Sequence, residues 1–99
     1  MKAYIVGAIS SDPHYRSKFA DAEMVLREQG YTVFNPACLP EGWGYETYMS
    51  ADEPFLREAD VVVLLPDWVK SSGGRREHGL AMTLQKQIVR YQDLEVQCG

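Results

Sequence analysis

The densest run of chemistry-bearing side chains is Ser71-Ser72-Gly73-Gly74-Arg75-Arg76-Glu77-His78-Gly79-Leu80-Ala81-Met82, where hydroxyls, glycines, arginines and a carboxylate crowd the start of an apolar helix. Gly73 and Gly74 permit a tight turn and close approach of the backbone to a ligand, and the free amides of a helix N-terminus favour an anion. Ser71 and Ser72 add hydroxyl donors. The same residues also read as a plain serine cap on a glycine-bearing loop. Glu77 distinguishes the two readings, because Glu77, Leu80, Ala81, Leu84 and Ile88 recur at the i, i+3, i+4, i+7 spacing of a buried helical stripe. The helix dipole favours a first-turn glutamate by roughly 0.3 to 1 kcal/mol, but does so equally on the solvent face. A partly desolvated carboxylate beside an anion site is suited to act as a nucleophile or a general base.

Other candidates carry two readings each. Asp52 is either a functional carboxylate or the cap of a segment restarting at Pro54. Tyr4 belongs to an apolar run and reads as core, and Asp60 as a turn residue. Arg75 and Arg76 are phosphate ligands or a solvated helix face. His78 adjoins Glu77 in sequence but points about 100° away around the helix. Trp43, Tyr45, Tyr48 and Trp68 either stack on a base or bury in a subunit contact.

The elements that must position these groups alternate. Residues 3 to 6 form a strand ending at Gly7, and Asp12-Pro13 caps a helix whose face is Tyr15, Phe19, Ala22 and Leu26, stopped by Gly30. A second strand spans 31 to 34, followed by a loop over 36 to 45 and a helix over 46 to 58 interrupted near Pro54. Residues 61 to 65 are continuously apolar, as in a parallel strand covered on both faces. A loop, a helix over 75 to 86 and a short strand over 87 to 90 follow. This order predicts an α/β fold, a small Rossmann-like or flavodoxin-like three-layer sandwich with a parallel sheet of four to five strands, in a single domain spanning 1–99. Ligands bind such sheets beyond the carboxyl ends of the strands, where Gly7 to Asp12 and Ser71 to Gly74 both fall.

Composition narrows the partners. A chain of 99 residues with net charge -4 lacks the basic face of a nucleic-acid binder. Cys38 and Cys98 stand far apart and form no metal-type spacing with His14 or His78, so neither a metal nor another cofactor is implied, and a reducing cytoplasm fits. The run Ala3 to Ile9 is too short for a signal-peptide core or a membrane span, which predicts a soluble, unprocessed protein without a membrane partner. The small core predicts association.

Together these residues resemble the nucleoside 2-deoxyribosyltransferases, their relatives the 2'-deoxynucleoside 5'-phosphate N-hydrolases, and small phage-associated homologues. The likeness runs from Tyr4 to about Ile88. Tyr4-Ile5-Val6-Gly7-Ala8-Ile9 is similar to the family's first strand and glycine turn. Asp52, eight residues before Asp60 in Ala59-Asp60-Val61-Val62-Val63, is similarly placed to its catalytic aspartate, and Glu77 matches its nucleophilic glutamate.

The resemblance implies cleavage or exchange of the N-glycosidic bond of a 2'-deoxynucleotide. Glu77 attacks C1', Tyr4 orients it, and Asp52 handles the proton of the leaving base, in the manner of a retaining glycosidase. Gly7, Ile9, Ser10, Ser71, Ser72, Gly73 and Gly74 are the implied substrate-binding residues. A homodimer or higher oligomer is implied because neighbouring subunits close the family's sites. Ala8 and Ser10 depart from the nucleotide hydrolases, which carry serine and a phosphate-binding arginine there. Ser71 replaces the aspartate that meets the 5'-hydroxyl in enzymes acting on free nucleosides, which points to a 5'-monophosphate. The alternative is a protein of this fold that senses or sequesters a nucleotide without turnover.

Overall fold

The computed structural model describes residues 1–98, with side chains through Leu94. Gly99 and the Cys98 side chain lie outside the described residues, and Cys38 is an exposed free thiol. The elements are β1 (Lys2–Val6), α1 (Tyr15–Glu28), β2 (Thr32–Phe34), α2 (Tyr45–Glu58), β3 (Val61–Leu64), α3 (Ser72–Thr83), β4 (Gln87–Arg90) and α4 (Tyr91–Cys98), with 3-10 turns at Pro36–Cys38 and Trp68–Lys70.

The four strands are all parallel, in the order β2-β1-β3-β4. The chain order reverses between β1 and β3, so the loops leaving these two strands diverge and open a crevice at their carboxyl ends. Side-chain alternation along the strands sorts the core into two. Ala3, Ile5, Val61 and Val63 pack with Phe19, Ala22 and Leu26 of α1 and Leu94 of α4. Tyr4, Val6, Val62 and Leu64 pack with Leu56 of α2 and Ala81 of α3. The result is the predicted three-layer α/β sandwich.

Several boundaries differ from the sequence expectation. Helix α1 begins at Tyr15 and not at Pro13, because Asp12 turns its Oδ1 to accept the His14 amide at 2.8 Å and His14 occupies the cap without a side-chain bond. Helix α2 runs unbroken through Pro54. A helix-interior proline costs about 3 kcal/mol, but the last turn is held by the buried Leu56 and by Phe55 stacked on Phe34 at 4.0 Å between ring centroids.

Helix α3 starts three residues earlier than expected, since Gly73 and Gly74 are themselves helical. It also ends earlier. Gln85 adopts φ 57, its amide bonds the Met82 carbonyl at 3.0 Å and the Lys86 amide bonds the Ala81 carbonyl at 2.9 Å. That is a Schellman ending, the same device that Gly30 (φ 93) supplies to α1 as expected. Ile88 therefore belongs to β4 and not to the helical stripe. Helix α4 has no counterpart in the sequence reading.

Candidate active site

Tyr4 lies on the α2/α3 side of β1 and is 0% exposed, so its hydroxyl needs an internal partner. Helix α3 supplies it: the Tyr4 hydroxyl donates to Glu77 Oε2 across 73 residues of sequence. Asp52, from the middle of α2, is the neighbouring carboxylate. These two, 9% and 5% exposed, are the buried charged side chains among the described residues. Asp52 Oδ1 has no protein partner among the described residues.

Burial pushes the Glu77 carboxyl up from 4.5 to about 8, against the hydrogen bond from Tyr4, and the nearby Asp52 charge adds to the rise. Burial likewise raises Asp52 to about 6, with the Tyr4 hydroxyl opposing. Burial first, and then the charges of Glu77 and Asp52, keep the Tyr4 phenol protonated. Near neutrality the carboxylate pair thus holds a proton, and the phenol serves as a fixed donor. Such a pair can deliver a nucleophilic oxygen and a proton to the same substrate.

Both carboxylates open into a cavity of about 640 Å³ at the carboxyl ends of the strands. Gly7, Ile9 and Ser10 from the β1–α1 turn and Ser71, Ser72, Gly73 and Gly74 from the start of α3 line it as well, so each residue named from the sequence as substrate-binding borders this space. Of the loop aromatics, Trp43, Tyr45 and Tyr48 line it. Trp68 does not; it packs on the α2/α3 core and meets the His78 ring at 4.3 Å between centroids, tilted by 31°. Tyr48 pins the loop that carries Trp43, donating to the Pro40 carbonyl at 2.7 Å and accepting the Trp43 amide at 3.0 Å.

The opening glycines and serine have local duties. Ser71 Oγ accepts the Gly74 amide at 3.0 Å and caps α3, leaving its hydroxyl proton free to donate elsewhere. Neither Gly73 nor Gly74 has a positive φ. A Cβ on Gly74 would fall 2.7 Å from the Trp68 carbonyl oxygen, so glycine is needed there for close packing and not for a turn. The amides of Ser72 and Gly73 precede any intrahelical acceptor, and both residues face the cavity.

The arginines turn away. Arg75 bonds the Val69 carbonyl at 2.6 Å and Arg76 pairs with Glu46 at 2.9 Å. The charged residues on the cavity lining, Asp12, Glu41, Asp52 and Glu77, are all acidic. Asp12 closes the ligand-side turn Gly7 to Asp12 named from the sequence, whereas Glu41 was not foreseen. Each is partnered, Asp12 with Lys18 at 2.8 Å and Glu41 with the Tyr15 hydroxyl at 2.9 Å and Arg16 at 3.4 Å. Among the described residues no cluster of histidine, cysteine and carboxylate side chains could hold a metal, and no helix is long and apolar enough to cross a membrane.

The architecture is shared with solved enzymes. A 2-deoxyribosyltransferase from the psychrotolerant bacterium Bacillus psychrosaccharolyticus superposes with a TM-score of 0.74 at 23% identity, over 91% of this chain and 71% of that one. The CMP N-glycosidase of Clostridium botulinum gives a TM-score of 0.68 at 20% identity, over 91% and 70%. At such identities the likeness is one of fold. No curated protein matches the chain significantly. The family model described as a domain of unknown function, DUF4406, matches residues 1–90, and the chain belongs to that family.

Proposed function

We propose that the protein cleaves or exchanges the N-glycosidic bond of a 2'-deoxynucleoside 5'-monophosphate through a covalent deoxyribosyl ester on Glu77. The observation that carries the reading is the buried Tyr4–Glu77 hydrogen bond beside Asp52, whose Oδ1 has no protein partner among the described residues, in a cavity at the carboxyl ends of the sheet. The enzymes named for the two similar folds, a 2-deoxyribosyltransferase and a CMP N-glycosidase, act on bonds of this class.

In the first half-reaction the proton that the pair holds passes from Glu77 to Asp52; a Glu77 carboxylate oxygen then bonds to C1' as the C1'–N bond breaks, the electron pair leaves with the base, and the base takes that proton from Asp52. In the second, water or another base attacks C1' and gives its proton to Asp52, and the ester bond returns its pair to Glu77. Positive charge at C1' in the transition state draws the raised Glu77 carboxyl toward its ionised form, so the carboxylate interacts most strongly where it lowers the barrier. Tyr4 fixes which oxygen is presented.

The 5'-phosphate would rest on neutral donors, the Ser71 hydroxyl and the Ser72 and Gly73 amides at the α3 N-terminus. A second reading, with a free deoxynucleoside as substrate, is favoured by the absence of any cation from the described cavity lining. Ser71→Asp decides between them, because aspartate also caps a helix and the fold is kept. With a monophosphate as the native substrate, kcat/KM for it falls by about ten- to hundredfold in the variant, while the matched nucleoside loses little. Equal effects on both, or a wild-type preference for the nucleoside, assigns the site to nucleosides.

A further inference from the structure

The two loops that diverge at the switch point are joined by two side chains, Lys18 and Asp67. Lys18, in the first turn of α1, directs Nζ to the Ala8 carbonyl at 2.7 Å, to Asp12 Oδ2 at 2.8 Å and to the Asp67 carboxylate. An ammonium has three donors, and all three are engaged. The other Asp67 oxygen accepts the Ala8 amide at 3.1 Å. Ala8 is thereby held at both of its backbone polar groups, one from α1 and one from the turn after β3. Its neighbours Gly7 and Ile9 are cavity wall. A methyl side chain in so short a turn offers little packing to do the same.

Because its donors are saturated, Lys18 has none left for a ligand, and the Lys18, Asp12 and Asp67 cluster carries a net negative charge. We propose that Lys18 and Asp67 are positioning residues that set the β1–α1 turn against the β3–α3 turn and so fix the wall of the cavity formed by Gly7, Ile9 and Ser10. Tyr4, Asp52 and Glu77 sit on β1, α2 and α3, outside the cluster. Loosening the turn therefore removes binding that ground state and transition state share, which raises KM and spares kcat. The kinetic part of this proposal rests on the N-glycosidase reading; the tethering of Ala8 does not.

The test uses the full chain with Lys18→Met, Asp67→Asn and the double variant. Amide hydrogen exchange is followed at Ala8 without ligand, and base release is assayed from a panel of deoxynucleosides and their monophosphates. Ala8 exchange should accelerate about tenfold or more in either single variant while the amides of Ile5 and Val63 are unchanged, and KM should rise about ten- to hundredfold with kcat within about threefold. The double variant should be no worse than the weaker single, since both break one contact network. Unchanged Ala8 exchange overturns the proposal, as does a fall in kcat at constant KM, the mark of a lost folded fraction. If the wild type releases no base from any panel member, the N-glycosidase reading fails, and Ala8 exchange alone still decides the tether.

Discussion

The two faces of the sheet are built from alternate residues of the same strands, yet they differ in kind. Against α1 and α4 lie Ala3, Ile5, Val61, Val63 and Leu65 with Phe19, Ala22 and Leu26, apolar throughout. Against α2 and α3 lie Tyr4, Val6, Val62 and Leu64, and on this side both buried carboxylates are found. Burying polar groups in place of apolar ones costs stability even when they are hydrogen-bonded. The contrast is a division of labour in which one face is purely apolar packing and the other carries buried ionisable groups.

Two substitutions press on that division most strongly. Glu77→Gln keeps the shape of the side chain and removes its nucleophilic charge, so base release should fall by about a thousandfold or more while ligand binding survives. Unchanged turnover in a single-turnover base-release assay would remove Glu77 from the mechanism. On the opposite face, Leu26→Ala empties a site that is 0% exposed and should destabilise by about 2 to 5 kcal/mol, read from urea unfolding, with kcat of the folded protein unaltered. A loss of kcat in Leu26→Ala without unfolding would show that the faces are coupled.

What the sequence disclosed follows the same line. Residues whose role is periodic were legible: the α1 stripe, the apolar β3, the Gly30 stop and the carboxylate on the α3 stripe. The Tyr4–Glu77 bond was not derivable from residue types alone, because Tyr4 in an apolar run reads as core and its partner lies 73 positions away. The α3 ending was hidden because Gln85, with φ 57, stands where such endings usually carry glycine. Pro54 misled in the other direction, since tertiary packing of Leu56 and Phe55 overrides a local breaker. Ser71 carries two readings that geometry makes compatible, a cap through its oxygen and a free proton for a ligand.

A smaller effect sharpens the comparison through pH. Burial raises Glu77 from 4.5 to about 8, so the folded protein holds a proton that the unfolded chain has released over this interval. The unfolded state then binds fewer protons, and stability must decline as pH rises from about 4.5 through about 8. Asp52 adds a like decline from 3.8 to about 6. Glu77→Gln abolishes the larger of these dependences. Its unfolding free energy relative to wild type, read from urea unfolding, should therefore climb between pH 5 and pH 9, with a gain on the order of 1 to 3 kcal/mol at the upper end. A difference independent of pH would mean that the carboxyl is not raised by burial.

The smallest effect separates the two sides of α3 itself. Gly74 and Gly79 both have helical backbone, and on propensity alone replacing either by alanine should stabilise by up to about 1 kcal/mol, since glycine loses more chain entropy on folding. Their surroundings oppose each other. At Gly79 a Cβ meets nothing within 4 Å, so Gly79→Ala should raise stability by about 0.5 to 1 kcal/mol and leave base release unchanged. At Gly74 the same methyl would meet the Trp68 carbonyl oxygen at 2.7 Å, Ser71 Cβ at 3.3 Å and the buried Val6 at 3.5 Å. The backbone carbonyl cannot swing aside as a flexible side chain would, so the α3 N-terminus must move away from the turn at Trp68–Lys70. Gly74→Ala should then lose stability and, because the Ser71 cap and the Ser72 and Gly73 amides move with it, raise KM as well. Thermal unfolding and steady-state kinetics on the two variants read both effects. If Gly74→Ala is as benign as Gly79→Ala, the glycine pair at the head of α3 is not required by packing, and its purpose must lie with whatever occupies the cavity.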